Sequence, residues 1–523
     1  MCGIALIVGR DPDRGLFRKM LLAIEPRGEV TETICEERHL IGARRLKIVD
    51  RERAMQPWTS SDGRFALCYN GEVYNFRSLR RELEAAGHRL RSDSDTEVVL
   101  ESFLEWGEQA VERLRGEFAF AVLDRTTDEV YLARDPLGVK PLYFAHSGGS
   151  LLVASEVKAL VPGGARVSEV PPGHHGWAGP NPDATLRPYV DLSRLGNEAE
   201  PISDPDEAAR RVRCALEDSI RARLDTDLTV GVALSGGLDS SLTLLHVRQM
   251  HPDCVAFTVG TPGSEDLRYA RRLASELGVH HEVVEVTPRD IRLADVREAV
   301  RQSELSEYGD VINAVVTRPL FARVRACGVK VVLCGDGSDE LFGGYDMYRQ
   351  PDPLECERLF RHKLRNLGRT ELQRVDRVSM GHGVETRVPY LDLALVRLAM
   401  RIPTELKVRG GDEKWILRQA FADILPDYIR RRRKNPMSHS SGLHERVRLY
   451  RPLVARMYRS YGYDLVEPMR RDFSVVLAQH DLDLDRALAS ASQRADYTPL
   501  EHARDLAGAI RRNLRNESRR SYQ

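Results

Sequence analysis

The stretch Thr229-Val230-Gly231-Val232-Ala233-Leu234-Ser235-Gly236-Gly237-Leu238-Asp239-Ser240-Ser241 decides how the larger half of this chain is read. Leu228 to Ala233 is apolar and β-branched, the composition of a buried strand. Two glycines flanked by hydroxyls follow, and Leu242 to Met250 then has the character of a helix. Strand, glycine-rich turn and helix start together grip an anion. The glycines let backbone N–H groups point at it, and the helix N-terminus adds its positive end. No Lys follows the glycines, so this is not the GxxxxGK[ST] loop. Asp239 stands inside the turn instead, which suggests a divalent cation bridging protein and phosphate. A plain glycine turn is the simpler reading, but the strand–turn–helix context argues against it.

Working outward, a second loop of the same kind, Cys334-Gly335-Asp336-Gly337-Ser338-Asp339-Glu340-Leu341-Phe342-Gly343-Gly344-Tyr345, follows the apolar run Val329–Leu333. Two strand ends, each delivering an Asp from a glycine-rich loop, suit a site at the carboxyl edge of a parallel sheet. Asp239 and Asp339 are the candidate Mg²⁺ ligands. Around these loops the pattern alternates: helix Ala208–Leu224, strands Thr229–Leu234 and Cys254–Val259, helix Asp266–Leu277, strand Val329–Cys334. Alternation of this kind predicts an α/β domain with a parallel sheet covered on both faces. Residues 355–425 and 440–523 read as mostly helical.

Residues 1–160 have another texture. Short β-rich runs (Gly3–Val8, His39–Val49, Phe65–Tyr69, Phe118–Asp124, Glu129–Ala133, Ser150–Ala154) are punctuated by helices at Leu79–Ala86 and Glu97–Trp106. That order predicts an α+β domain built on antiparallel strands. Residues 162–205, rich in Pro, Gly and Asp, read as a linker. The expected domains are 1–195 and 206–523.

Composition sets outer limits. A chain of 523 residues has room for two or more domains, and 42% apolar content supports sizeable cores. Charge is abundant at 30% but sums to zero, which suggests neither a nucleic-acid nor a membrane partner. The short apolar start lacks a basic region and a cleavage site, so it does not read as a signal peptide. The eight cysteines are scattered without a CxxC pair, as expected of a cytoplasmic protein with reduced thiols.

Cys2 follows Met1 and precedes Gly3 and an apolar run. With Met1 removed it carries both a thiol and an α-amine of pKa about 8, which can serve as base for its own side chain. Met-Cys-Gly-Ile, Tyr69-Asn70-Gly71-Glu72 and Ser94-Asp95-Thr96-Glu97 together resemble the class II glutamine amidotransferases, an N-terminal-nucleophile (Ntn) hydrolase family. The resemblance implies that Cys2 attacks the glutamine side-chain amide, with the Asn70 side chain and the Gly71 N–H as oxyanion hole. It further implies that Arg45 pairs with the α-carboxylate of glutamine, while Glu72 and Asp95 take its α-amine beside Asn70. The family's HRGPD-like segment corresponds to Pro26-Arg27-Gly28-Glu29-Val30, where its Pro and Asp are missing.

The first loop resembles that of the ATP pyrophosphatases. With the N-terminal motifs, Ala256–Leu267 and Asp376–Asp392, the chain resembles the glutamine-hydrolysing asparagine synthetases: an Ntn sandwich followed by an ATP-pyrophosphatase domain with a helical C-terminal part. The resemblance implies an aspartate β-carboxylate attacking the α-phosphorus of ATP, an acyl-adenylate, and displacement of AMP by ammonia delivered through a tunnel. Ser235, Gly236, Gly237, Asp239 and Ser240 would hold ATP phosphates. Leu234, Val259 and Gly335 would line the adenosine pocket, and Lys434 would be the lysine that stabilises charge on the phosphates. The cofactors implied are ATP and Mg²⁺. Two departures stand out. Asp336 replaces a Glu common in the family, and Ser303–Val316, with Glu304, Glu307, Asp310 and Asn313, lacks the usual acceptor pattern. An amide synthetase acting on another carboxylic acid is therefore the rival reading. A catalytically inactive ATP-binding partner protein is a third, opposed by Cys2, Asp239, Asp339 and Lys434. An assembly of two copies is left open.

Overall fold

Every residue of Cys2–Gly9 is buried, and a strand of that composition belongs inside a layered structure rather than at a wet surface. The computed structural model, which describes residues 1–305, 308–348, 353–433, 443, 447 and 450–466, puts it at the heart of a sandwich. In chain order the strands of this half are β1 (Cys2–Gly9), β2 (Val30–Cys35), β3 (His39–Arg45), β4 (Trp58–Thr59), β5 (Phe65–Val73), β6 (Gly116–Asp124), β7 (Glu129–Arg134), β8 (Tyr143–Ser147), β9 (Ser150–Ala154), β10 (Val167–Glu169), β11 (His174–Ala178) and β12 (Thr185–Pro188). They form two six-stranded sheets, ordered β10-β8-β9-β1-β3-β2 and β12-β11-β7-β6-β5-β4. Their pairings are antiparallel.

The period of two builds the layers. Ile4, Leu6 and Val8 of β1 join Cys68, Ala119, Ala121 and Leu132 in the core between the sheets. Ala5 and Ile7 point the other way, against Phe17 and Met20 of the helix Arg14–Ala23. The outer face of the second sheet, with Leu67, Tyr69 and Phe120, is covered by Val98, Val99 and Phe103 of the helix Asp95–Trp106. This is the Ntn-type α+β sandwich that the resemblance implies.

Two readings need correction. Residues 162–205 are not simply a linker, because β10, β11 and β12 lie in them and extend both sheets. β10 and β12 are edge strands, where Pro188 and the flanking glycines cost no ladder bonds. The strand expected to end at Tyr69 continues to Val73, because β6 keeps pairing as far as Val73 opposite Gly116. Asn70, Gly71 and Glu72 are thereby fixed on a sheet.

The second half holds β13 (Val230–Ala233), β14 (Val255–Gly260), β15 (His280–Glu285), β16 (Val331–Leu333) and β17 (Glu385–Arg387) in one parallel sheet, ordered β15-β14-β13-β16-β17. The chain order reverses between β13 and β16, and the two glycine loops leave the carboxyl ends of those two strands. That is the crevice where open α/β sheets bind ligands. Helices Leu238–Met250, Glu265–Glu276, Tyr308–Ala326, Glu371–Met380 and Leu393–Met400 surround the sheet. This is the α/β domain with a helical C-terminal part.

The halves share a core. Met1, Leu46, Ile48, Leu137 and Val139 of the first pack into the same apolar cluster as Leu216, Leu333, Val388 and Leu391 of the second. Buried ion pairs cross the boundary too, among them Arg27 with Asp376 at 2.8 Å and Arg377 with Glu156 at 3.9 Å. Among the described residues no helix is long and apolar enough to cross a membrane, and all eight cysteines are free thiols.

Candidate functional site

The first candidate centre is built on β1 and β5. Cys2 is 4% exposed. Its N–H donates to the Asn70 Oδ1 at 3.1 Å, and its thiol accepts from Gln56 Nε2 at 3.4 Å. Burial raises the thiol pKa, and the Met1 ammonium and Arg45 only partly oppose that. Asn70 is wholly buried, and among the described residues its Nδ2 has no partner. A buried donor left open beside a thiol is what an oxyanion hole requires. Gly71 is obligatory where it stands, because a Cβ there would lie 2.4 Å from the Glu117 carbonyl oxygen on β6.

The predicted glutamine-binding charges are all here, and all are engaged. Arg45 sits opposite Cys2 in the β1–β3 register. It pairs with Glu32 at 3.3 Å and donates to the Arg51 carbonyl at 2.8 Å. Asp95 opens its helix and accepts from the Tyr69 hydroxyl at 2.7 Å and the Val73 N–H at 3.1 Å. Burial raises its pKa. Glu72 is pushed well up by burial and by Asp95, and its carboxylate lies 3.3 Å from Arg387 of β17, across the domain boundary.

The altered Pro26–Val30 segment also has a place. Arg27 is 1% exposed. It donates to the Cys2 carbonyl at 3.1 Å while pairing with Glu156 and Asp376. Glu29 pairs with Arg325 and Lys330 of the second half. The segment therefore serves the boundary between the halves. The Met1 ammonium also crosses it, pairing with Glu385 at 2.9 Å.

The second centre lies between the two glycine loops. Leu234 N–H donates to the Phe257 carbonyl at 2.8 Å, prolonging the β13–β14 ladder. Gly236 then turns with φ +70°, and Gly237 caps the helix Leu238–Met250. The Ser235 and Ser240 hydroxyls lie 3.0 Å apart and brace the turn. Gly335 approaches the first loop so closely that a Cβ would sit 2.9 Å from that of Asp239. Asp239 accepts from the Ser338 hydroxyl at 2.7 Å. Lys414 bridges the two acids, with Nζ 2.5 Å from Asp239 and 2.5 Å from Asp339. Asp239 and Asp339 thus converge on one cation, the Lys414 ammonium. Among the described residues no three His, Cys, Asp or Glu side chains form a metal site by themselves. A divalent ion between these two carboxylates would draw its other ligands from phosphate oxygens.

Two adjoining cavities meet at Ser235 and Asp239. The larger, about 430 Å³, is lined by Leu234, Val259 and Gly335 on one side, and by Asp310, Lys363 and Arg374 on another. The smaller, about 60 Å³, is walled by Gly237, Lys414, Arg418, Arg432 and Arg433. Asp336, read as a shortened acid, is held by Arg374 at 2.7 Å. Glu340 is pushed up to about 8, by burial first and then by Glu371 and Asp339, and it accepts from the Tyr345 hydroxyl. Of the other acceptor-side residues, Asn313 lines the large cavity. Glu304 instead caps its helix and pairs with Arg377 at 3.1 Å. Glu307 and Lys434 lie outside the described residues.

Sequence reasoning missed Gln56, Lys414, Arg432 and Arg387. Gln56 precedes a proline in a polar loop and carries no local signal. Lys414 belongs to a Gly-Gly-Asp-Glu-Lys stretch whose composition points to a turn.

Residues 1–172 match the family model described as glutamine amidotransferase domain. Residues 211–359 and 352–498 match the one described as asparagine synthase. Asparagine synthetase B [glutamine-hydrolyzing] of Escherichia coli K12 is 34% identical over 77% of this chain and 75% of that protein. The chain belongs to the glutamine-hydrolysing asparagine synthetase family. It is thereby an enzyme of the ligase class with an amidotransferase half. Asparagine synthetase [glutamine-hydrolyzing] 3 of Arabidopsis thaliana is 33% identical over 84% of the chain and 79% of its own. Asparagine synthetase [glutamine-hydrolyzing] 1 of Bacillus subtilis 168 is 27% identical over 83% and 86%.

Proposed function

We propose that this enzyme makes an amide from a carboxylic acid, ATP and ammonia cut from glutamine, with aspartate as the acid and asparagine as the product. The observation that carries the reading is the convergence of Asp239 and Asp339 on Lys414, where a roomy cavity meets a small basic one. ATP fits that pair, adenosine against Leu234, Val259 and Gly335 and phosphates toward Gly237, Lys414 and Arg432. An oxygen of the acceptor carboxylate attacks the α-phosphorus, the bond to the bridging oxygen breaks, and pyrophosphate leaves. Backbone N–H groups of the first loop, the helix start and Lys414 take up its charge. Mg²⁺, held by Asp239 and Asp339, would neutralise phosphate charge that otherwise repels the carboxylate. Lys434 has the family's charge-stabilising role. Ammonia then displaces AMP from the acyl-adenylate.

Ammonia arises at the other centre. With Met1 removed, the Cys2 amine takes the thiol proton and the thiolate attacks the glutamine amide. The amine returns the proton to the leaving nitrogen as the C–N bond breaks, freeing ammonia. Water then hydrolyses the Cys2 thioester to glutamate. Asn70 Nδ2 and the Gly71 N–H receive the oxyanion. Arg45 binds the α-carboxylate; Glu72 and Asp95 bind the α-amine. Amides of other acids form a second reading. Arg374, a cation suited to an acceptor carboxylate, is already paired with Asp336, and that favours an acceptor that asks less of it.

The test is pyrophosphate release with Mg²⁺, ATP and ammonia, with and without aspartate. Ammonia bypasses the glutamine centre. Release that depends on aspartate, with asparagine formed, is expected. Release that responds only to another carboxylic acid would move the enzyme to the second reading, and none from a folded, ATP-binding protein would overturn both.

A further inference from the structure

β17 closes one edge of the parallel sheet. Side chains alternate along a strand. Glu385 and Arg387 face the amidotransferase half, against the Met1 ammonium and Glu72. Thr386, between them, points the other way and lines the cavity of about 430 Å³. The strand is tied to the second glycine loop, because the Cys334 N–H donates to the Arg387 carbonyl at 3.1 Å. Thr386 is 2% exposed, and among the described residues its hydroxyl has no hydrogen-bond partner. The other hydroxyls on the cavity wall are committed. Those of Ser235 and Ser240 lie 3.0 Å apart, that of Thr317 donates to the Asn313 carbonyl at 2.8 Å, and that of Tyr345 donates to Glu340. A buried hydroxyl without a partner is destabilising, and Val has nearly the same shape without that penalty. A hydroxyl kept at such a place, on the wall of a cavity, points to a ligand.

We propose that the Thr386 hydroxyl holds ammonia for its attack on the acyl-adenylate. The inference rests on the reading of the cavity as the place where that intermediate forms. The attacking species is neutral NH3, with three N–H donors and one lone pair. A carboxylate in this position would favour ammonium, which has no lone pair to give. A neutral hydroxyl accepts one N–H bond and leaves the nitrogen lone pair free. An acceptor carboxylate or a phosphate asks for cations instead, and the same cavity offers those in Lys363 and Arg374. In the step itself the nitrogen lone pair forms the bond to the acyl carbon. The bond from that carbon to the adenylate oxygen breaks, its electron pair leaves with AMP, and the departing phosphate takes the nitrogen's surplus proton. Water is the competing nucleophile. Its attack returns the free acid and AMP, so that pyrophosphate is released with no amide made. Holding ammonia therefore decides how much adenylate becomes product, by about fivefold, the scale of one neutral hydrogen bond.

The experiment follows pyrophosphate and amide together, with Mg²⁺, ATP, saturating aspartate (or whichever acid supports pyrophosphate release) and ammonium chloride varied at fixed pH. Ammonia comes from solution, so the glutamine centre does not enter. In Thr386→Val the KM for ammonia should rise about fivefold. Amide formed per pyrophosphate released should fall at low ammonia, while the KM for ATP stays as in the wild type. Thr386→Ser keeps the hydroxyl and should restore both. An ammonia KM unchanged in Thr386→Val overturns the proposal. So does an amide yield that rises, which would show a hydroxyl that holds water. A serine variant as impaired as the valine one would trace the defect to packing and overturn it too. Thr386→Ala covers the case of a valine variant that does not fold, and its outcomes count in the same way. No pyrophosphate release by the wild-type enzyme with any acid would sink the reading of the cavity and this inference with it. Release with an ammonia KM indifferent to the side chain at 386 sinks this inference alone.

Discussion

Lys414 answers a problem set by the two loops that it joins. Asp239 and Asp339 are brought together in a largely buried crevice, where two carboxylates would repel strongly without a cation between them. Lys414 supplies one at 2.5 Å from each. In Lys414→Met, removing one partner of a buried pair should cost about 3–5 kcal/mol of stability, and Mg²⁺ should restore part of it. Thermal melts with and without Mg²⁺ check this, the rise in Tm on adding Mg²⁺ being larger in the variant than in the wild type. Pyrophosphate release should fall about 10²–10³-fold, the scale for losing one donor to developing charge. Cys2→Ala is the matching substitution at the other centre. Asparagine formation from glutamine should vanish and that from ammonium salts persist, read from the product with each nitrogen source.

At the scale of elements, the β5–β6 pair carries the most demanding geometry. Register sets Gly71 opposite Phe118, with the Glu117 carbonyl 2.4 Å from where a Cβ would be. Gly71→Ala should push the strands apart at a cost of about 1–3 kcal/mol, and displace the Asn70 side chain from Cys2. Chemical denaturation should register the first effect. Loss of glutamine cleavage with ammonia-dependent synthesis retained should register the second. These strands also mark how far sequence reading reached. The apolar, β-rich composition of Gly3–Val8 and Phe118–Asp124 identified strands, because burial on both faces leaves a local run of apolar residues. The extension of β5 to Val73 left none, since polar Asn70, Gly71 and Glu72 are kept in the sheet by β6 and not by their own propensity. Nor did the short β10, β11 and β12, whose prolines and glycines imitate a linker.

Across the whole molecule, the boundary between halves is held by ionised groups removed from water. Burial alone would raise Asp376, yet Arg27 brings it down to about 2. Lys158 and Arg27 likewise bring Glu156 to about 2. Groups whose folded values lie below their ordinary ones, 3.8 for Asp and 4.5 for Glu, stabilise the fold in full above those values. That stabilisation is lost as pH falls toward the folded values. The contribution of these pairs should therefore fall steeply between about pH 4.5 and pH 2. Because the pairs are buried, added salt should shift the transition little. Calorimetry should find both halves melting together, since one apolar cluster runs through both. Separate transitions would contradict the shared core.

Chemistry defined by neighbouring residues was legible along the chain. A loop that turns on Gly236 and Gly237 and delivers Asp239, its counterpart with Asp339, and Cys2 at the start of an apolar strand all carry their signal within a dozen positions, because backbone conformation and helix starts are local properties. Which distant groups meet is set by the folding of the whole chain. That Lys414 neutralises both aspartates, that Gln56 reaches the Cys2 thiol, and that Arg387 spans from Glu72 to the second loop depend on how sheets and helices stack. Pairing across tens or hundreds of residues is imposed by packing and by the cost of leaving a charge alone in a low dielectric, and neither leaves a mark in the adjacent sequence.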